Sequence, residues 1–168
     1  TLGASFEPLI DLAVANPETF AWTWSDNTIS SDHPIASKSF GSHAAREQLL
    51  SVYPAGLVTG INIGFDGSDG ATNAHADRAS QEVGAVSFSY PLTALRYFAA
   101  SYNPITNIMD FTGFLSLEDI ECFHCTNLEH VAAANLPSLK RLCFENCSLQ
   151  ELDISGNPNL EDVRAALN

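Results

Sequence analysis

The residues best equipped for chemistry lie close together: Cys122-x-x-Cys125, then Cys143-x-x-x-Cys147, with His124 and His130 between the pairs. Cysteine pairs about seventeen residues apart approach zinc-ribbon spacing, in which four soft ligands close a tetrahedron around one ion. A metal-dependent enzyme built on such a site needs the thiols to converge. A second constellation is DGSDGATNAHAD (Asp66 to Asp77), with carboxylates at the two ends of an EF-hand-length loop. Its ligand pattern then fails, because Ala71 stands where the turn glycine belongs, Gly70 comes one place early, and Asp77 closes the loop in place of glutamate. A solvated acidic loop is the expectation there. The chain carries no G-x-S-x-G elbow, P-loop, H-E-x-x-H or strand-linked G-x-G-x-x-G. Its Ser, His and Asp residues are scattered, so no enzyme is expected and no cofactor is called for.

Whether the thiols meet depends on the elements that carry them, and those elements repeat. Cut at each periodic leucine, the sequence reads LEDIECFHC (Leu117 to Cys125), LEHVAAANL (Leu128 to Leu136), LKRLCFENC (Leu139 to Cys147), LQELDISGN (Leu149 to Asn157) and LEDVRAALN (Leu160 to Asn168). An apolar residue stands first, a second three places on, a third usually five places on, and Cys or Asn closes most units eight places on. Fainter copies run through Val58/Ile61/Ile63/Asp66, Val83/Val86/Phe88, Leu92/Leu95/Tyr97 and Ile105/Ile108. Each unit, about eleven residues long with one stretch of strand period, predicts one short strand and one turn. A lone strand of that length cannot bury its apolar side, whereas stacked copies bury a continuous core. The closing Asn can bond buried turn groups, and Cys can fill the same space. In this register Cys122, Cys125 and Cys147 face inward and Cys143 outward, so buried free thiols are expected and a shared zinc ion is not. A disulfide remains the other option, with Cys125 and Cys147 stacked about 4.8 Å apart, although parallel stacked side chains point alike.

The consecutive L-x-x-L-x-x-x-x-N segments resemble the leucine-rich-repeat family in its short-unit bacterial form, from Leu92 to Asn168 and more faintly from Leu57. The resemblance implies a mainly β fold, a leucine-rich-repeat solenoid of stacked short parallel strands spanning 57–168. Two successive units make one coil of about 21 residues. Leu92, Leu117, Leu139 and Leu160 then head one set of strands, and Val83, Ile105, Leu128 and Leu149 the other. Two units look irregular: Asn135 comes one place early with Leu136 in the closing place, and Gly113 closes the Ile105 unit. The polar, Gly-rich stretch between Asp66 and Val83 reads as an inserted loop.

Residues 1–56 are different. FAWTWSDNTISSDHPIASKSF (Phe20 to Phe40), followed by LLSVYP (Leu49 to Pro54), resembles the polycystic-kidney-disease-type β-sandwich family, with Trp22, Trp24, Ser25, Asp26, Asn27, Pro34 and Phe40 in matching order. The segment is short for that domain, and HAAREQLL (His43 to Leu50) reads as a helical turn capped by Ser42. A reduced, β-rich N-terminal cap that shields the first coil is therefore expected.

Outward rows follow from the register. One face is expected to show Ala94, Asp119, Arg141 and Asp162, then Arg96, Glu121, Cys143 and Arg164, then Phe98, Phe123, Glu145 and Ala166. Its charges should pair across strands at about 0.2–1 kcal/mol each. Phe98 and Phe123, stacked beside Arg96, Glu121, Arg141 and Asp119, form the expected recognition surface, since aromatics anchor interfaces. The other face is expected to show Ala85, Ser87 and Ser89, then Asn107, Met109 and Phe111, then His130, Ala132 and Ala134, then Glu151, Asp153 and Ser155. An apolar middle of that kind predicts a cover, either the N-terminal segment or a second copy on the Ala132/Ala134 face. The array stops at the closing Asn168 with no polar cap, which suggests either a longer natural chain or association at that end.

Composition narrows the partners. Of 168 residues 45% are hydrophobic, ample for a core, while Asp and Glu outnumber Lys and Arg by 20 to 7 for a net charge of -13. That field repels phosphate, so nucleic acid and anionic membrane are excluded as expected partners. No apolar run approaches the roughly 18 residues of a membrane helix. Thr1 follows no signal segment, as in a processed or trimmed chain. The family resemblance implies a secreted or cell-surface binding module for a protein or glycan, with a ligand-free structural spacer as the alternative and a metal-dependent enzyme third.

Overall fold

The apolar segments of the repeat become very short parallel strands. The computed structural model describes residues 58–63, 84–89, 91–106 and 108–168, Gly56, and six backbone strands before them. Those six are β1 (Ser5–Phe6), β2 (Leu9–Leu12), β3 (Ala21–Thr23), β4 (Ile29–Ser30), β5 (Lys38–Ser39) and β6 (Ser51–Tyr53). The repeat adds β7 (Val58–Asn62), β8 (Tyr97–Ala99), β9 (Met109–Asp110), β10 (Asp119–Glu121), β11 (Val131–Ala132), β12 (Arg141–Cys143) and β13 (Asp162–Arg164). Among the described residues no helix is long and apolar enough to cross a membrane.

These strands stack in two ladders on opposite sides of one core, a parallel β-solenoid. The principal sheet runs β13-β12-β10-β8-β7-β2, and all its neighbours are parallel except β2. Asp119 lies opposite Tyr97 on one side and Arg141 on the other, and Arg141 lies opposite Asp162. The second ladder pairs β9 with β11, and a single bridge carries it on from Ala132 to Asp153. Cross-coil contacts recur every 21–22 residues. At the N-terminal side, β2 pairs antiparallel with β7, so the edge that parallel stacking leaves at the first coil is hydrogen-bonded. Three further antiparallel pairings, β1 with β5, β3 with β4 and β3 with β6, join the other early strands.

The core consists of the inward template positions. Leu117, Ile120, Cys122 and Cys125 are fully buried, as are Leu139 and Phe144 above them, with Leu142 and Cys147 nearly so. A second column holds Leu128, Val131, Ala133 and Leu136. Four phenylalanines lock the early coils: Phe98 meets Phe88 and Phe111 edge-on at 5.8 and 5.3 Å, and Phe114 meets Phe88 at 5.0 Å. Such pairs add about 0.5–1.5 kcal/mol each beyond the area they bury. Burial fades in the last coil, where Val163 is 43% exposed, because no strand covers β13.

Two upstream units sit in a different register from the one expected. The second coil's unit is Leu95/Phe98/Ala100/Asn103, not Leu92/Leu95/Tyr97, since Phe98 lies opposite Ile120 and Ile61 in the sheet. Both registers satisfy the leucine spacing, but only the observed one supplies a closing residue. Asn103 Nδ2 donates to the carbonyls of Ile63 and Ala100 at 3.0 Å from its buried position. On the other ladder the unit runs Thr106/Met109/Phe111/Phe114, because Met109 lies opposite Val131. Thr106 can head it because its exposed hydroxyl bonds the carbonyl of Gly84. Met109 and Phe111 are therefore core, not surface. The outward rows of that ladder become Ile108/His130/Glu151, Asp110/Ala132/Asp153 and Thr112/Ala134/Ser155, far more polar than expected. The apolar patch anticipated there shrinks to the half-buried Ala132 and Ala134 and an exposed Ile108.

One rule explains the apparent irregularities. Every positive-φ residue among those described stands directly before a closing residue: Tyr102, His124, Asn146 and Leu167 on one side, Gly113, Asn135 and Gly156 on the other. Asn135 and Gly113 are thus regular corners, and Leu136 and Phe114 occupy closing places as buried apolar residues. Left-handed backbone suits Gly and Asn, and a side chain at Gly156 would run into Asn135 of the coil below.

The closing residues form a ladder of side-chain bonds to the preceding coil. Cys125 Sγ donates to the carbonyl of Ala100 at 3.3 Å, Cys147 Sγ to that of Cys122 at 2.9 Å, and Asn168 Nδ2 to that of Phe144 at 2.8 Å. Cysteine therefore does more than fill space here: it supplies the donor that Asn103 and Asn168 supply elsewhere in the column. All four cysteines are free thiols. Burial pushes the Cys122 thiol well up, and the Cys147 thiol is raised first by its contact with Cys125 and then by burial. The calcium-like loop Asp66–Asp77, the turn His43–Leu50 with Ser42, and Trp24, Ser25, Asp26, Asn27, Pro34 and Phe40 lie outside the described residues; Trp22 falls in β3.

Candidate binding surface

The outward positions of β8, β10, β12 and β13 fall into rows set by the register. The first row runs Tyr97, Asp119, Arg141, Asp162 and the second Ala99, Glu121, Cys143, Arg164. Strand alternation places Ser101, Phe123, Glu145 and Ala166 in a third row at the strand ends. Charges in these rows are largely neutralised in place. Arg141 pairs with Asp119 through Nε at 2.8 Å and also through Nη2, and Arg164 pairs with Asp162 at 3.1 Å. Tyr97 donates its hydroxyl to Glu121 at 3.1 Å. Packed between neighbouring strands, Asp119 and Glu121 are more than nine-tenths buried and offer little surface to a partner.

A further row, one place after each leading residue, escaped the sequence reading. Glu118 accepts from Arg96 Nε at 2.6 Å with one oxygen and from Lys140 Nζ at 2.6 Å with the other. These two bonds, Lys140's the larger contribution, hold the Glu118 carboxyl below its ordinary range. Thr59, Arg96, Tyr97, Glu118 and Asp119 line a shallow, open depression of about 300 Å³. Its charged groups are already paired, Arg96 with Glu118 and Asp119 with Arg141.

Of the two aromatics expected to stack on this face, only one is there. Phe98 is fully buried, because the three-residue shift in its unit turns it into the core opposite Ile120. Phe123 is half-buried at the end of β10 and meets a different partner, Tyr102, edge-on at 5.1 Å. His124 completes the group, its ring stacked on Tyr102 at 4.7 Å with 10° between planes, and 5.7 Å from Phe123. Tyr102 is 38% exposed. The trio sits where two successive coils turn out of their strands, tied by the Tyr102 amide bonding the Phe123 carbonyl at 2.9 Å. The signal for it was present as aromatics one or two places before the closing residue, a place the repeat template leaves open.

The surface thus separates into an ion-paired strand region and an aromatic corner. Among the described residues no three His, Cys, Asp or Glu side chains are grouped to hold a metal ion. Cys143, half-buried on the strand face, has its thiol raised by burial and by the nearby carboxylates of Glu145 and Glu121. The chain matches no family model, no curated protein and no solved structure.

Proposed function

We propose that this chain is a leucine-rich-repeat recognition module, secreted or displayed at a cell surface, that binds a protein or glycan partner through the Tyr102–Phe123–His124 corner without catalysing a reaction. The regular spacing, the closing Asn and Cys residues and the coil length support the repeat family. The early strands, with β2 on β7, support an N-terminal cap of polycystic-kidney-disease type.

The observation that carries the binding reading is the presence of bulky aromatic residues at left-handed corners. Tyr102 and His124 adopt φ of 61° and 56°, as Leu167 does at 61° in the last coil, where the remaining corners of the same solenoid use Gly113, Asn135, Asn146 and Gly156. Such backbone costs a non-glycine, non-Asn residue about 1–2 kcal/mol. A surface that accepts this cost twice, and stacks the two rings, has the rigid aromatic anchors that dominate binding energy at interfaces. The neutralised strand region favours the structural-spacer reading instead, since it offers a partner little that is unsatisfied.

The two separate by experiment. The chain is screened against arrays of glycans and of peptides, and each hit is remeasured with Phe123→Ala and Tyr102→Ala. Recognition predicts hits weakened about fivefold or more by both changes, the loss of one anchor. Hits indifferent to both changes, or no hit in either array, leave the spacer reading in its place.

A further inference from the structure

We infer that the aromatic corner takes a positively charged partner, an Arg- or Lys-rich protein segment whose cationic side chain lies on the Phe123 and His124 rings against the Glu145 carboxylate. This inference rests on the recognition reading above and names the chemistry of its ligand.

The argument begins with the outward carboxylates of the principal sheet. In its three outward rows Asp119 is matched by Arg141, Asp162 by Arg164, and Glu121 by the Tyr97 hydroxyl. Glu145 is the fourth, and no basic side chain among the described residues pairs with it. The place matters as much as the charge. Glu145 follows Phe123 in the same row on the adjoining coil, and the His124 amide donates to its backbone carbonyl at 2.8 Å. Parallel register therefore sets residue 145 about 4.8 Å along from the Phe123 position, beside the His124 corner. Its charge is felt locally, since it helps to raise the neighbouring Cys143 thiol.

An aromatic face next to an unmatched carboxylate suits a cation. The ring quadrupole attracts a guanidinium or ammonium, the carboxylate completes the pair, and Arg also stacks flat on a ring. The wider field has the same sign, with a net charge of -13 drawing a basic segment towards the molecule. Asn146, next along the corner from His124, adds an amide that can bond a peptide backbone passing over the coil.

The test uses the whole chain with three probes: a poly-arginine peptide, a poly-glutamate peptide and the neutral oligosaccharide cellohexaose. Binding is followed by titration with amide NMR shifts recorded at Tyr102, Phe123, His124 and Glu145. Poly-arginine should shift these amides and lose affinity as ionic strength rises from about 0.01 to 0.15 M. Phe123→Ala and Glu145→Gln should each weaken it about threefold to tenfold, the scale of one cation–π contact or one ion pair. Glu145→Gln, an isosteric change at a half-buried position, keeps the test valid if Phe123→Ala perturbs the fold. Poly-arginine that binds without shifting the corner, or equally well to Glu145→Gln, overturns the inference as mere attraction to an acidic protein. Cellohexaose binding at the corner in place of poly-arginine overturns it too, while leaving the recognition reading intact; a corner silent to every probe overturns it, and the array screen then decides the broader reading.

Discussion

Replacing Asn157 with alanine removes two hydrogen bonds that join successive coils. Asn157 Oδ1 accepts from the Leu136 amide at 2.7 Å, and Nδ2 donates to the Ala133 carbonyl at 2.8 Å. Leu136 and Ala133 are both fully buried with Asn157 in place, so losing its side chain strands an amide and a carbonyl at the coil junction. A stranded buried amide costs about 1–3 kcal/mol, and the carbonyl, which keeps a second lone pair for relaxed contacts, about 1 kcal/mol more. Asn157→Ala is therefore expected to destabilise the last coils by about 2–4 kcal/mol. Asn157→Cys restores a donor alone, as Cys147 does towards Cys122 at 2.9 Å, and should recover about 1 kcal/mol of that loss. Asn157→Asp keeps the acceptor but turns its second oxygen on the Ala133 carbonyl, so near neutral pH it should fare no better than alanine. Stacked coils open partly independently, which makes amide hydrogen exchange at Leu136 a sharper assay than global melting. Urea denaturation followed by circular dichroism gives the overall figure. An alanine variant within about 0.5 kcal/mol of the parent, with Leu136 protection unchanged, would refute the hydrogen-bond ladder as the source of coil cohesion.

Three more outcomes follow from the same structure. Phe98→Ala should cost about 3–5 kcal/mol in chemical denaturation, and Phe123→Ala about 1 kcal/mol, because only Phe98 is fully buried; the reverse order would restore the register that points Phe98 outward. Glu118→Gln should cost less than about 1 kcal/mol near neutral pH, since its pairs with Arg96 and Lys140 are largely exposed. The folded Glu118 carboxyl titrates below its ordinary 4.5, so the parent's advantage is complete above that value and vanishes as pH falls through the folded pKa; an advantage that persists in stronger acid refutes the assignment. Iodoacetamide with mass-spectrometric mapping should label half-buried Cys143 first and reach Cys122, Cys125 and Cys147 only under denaturing conditions, whereas early labelling of Cys125 or Cys147 contradicts their place in the core.

How much of this could be read beforehand depends on what each residue's place demands. From Leu117 onward the leucines, the closing Asn and Cys and the strand period all specify one register, and Ile120, Leu142 and Val163 stack as the spacing requires. Cys122, Cys125 and Cys147 lie inward for the same reason, which removes the zinc-ribbon geometry that their spacing mimics. Upstream, LTALRYFAASYN offers two leucine registers, and the decision belongs to a single buried amide, Asn103. Once its partner carbonyls are known, Leu95 must lead and Phe98 must face inward. On the second ladder the polar head Thr106 hid the unit, because a strand-pattern search weighs apolar residues and gives no credit to a hydroxyl bonded to the coil below. The ion-paired row of Arg96, Glu118 and Lys140 was missed because it stands one place after the leading residue, ahead of the alternating stretch, yet stacking aligns it across three coils.

The aromatic corner was the least legible feature. The repeat template specifies the corner's backbone and leaves its side chain open, so Tyr102 and His124 are brought together only by coil-to-coil stacking 22 residues apart, a period that no local window contains. Backbone economy argues for Gly or Asn at such corners, and four others in this solenoid have them. If the array served only to hold neighbours apart, substitution of Tyr102 and His124 by Gly or Asn would stabilise it at no functional loss, and destabilising choices would be expected at random corners. Leu167 is the exception on the last coil, but Tyr102 and His124 lie on adjacent coils, stacked on each other beside Phe123 and next to Glu145, with which no basic side chain among the described residues pairs. Strain, ring stacking and unmatched charge coincide at one edge of a strand face whose charges are otherwise largely paired, and that coincidence is the reason to look for the partner there.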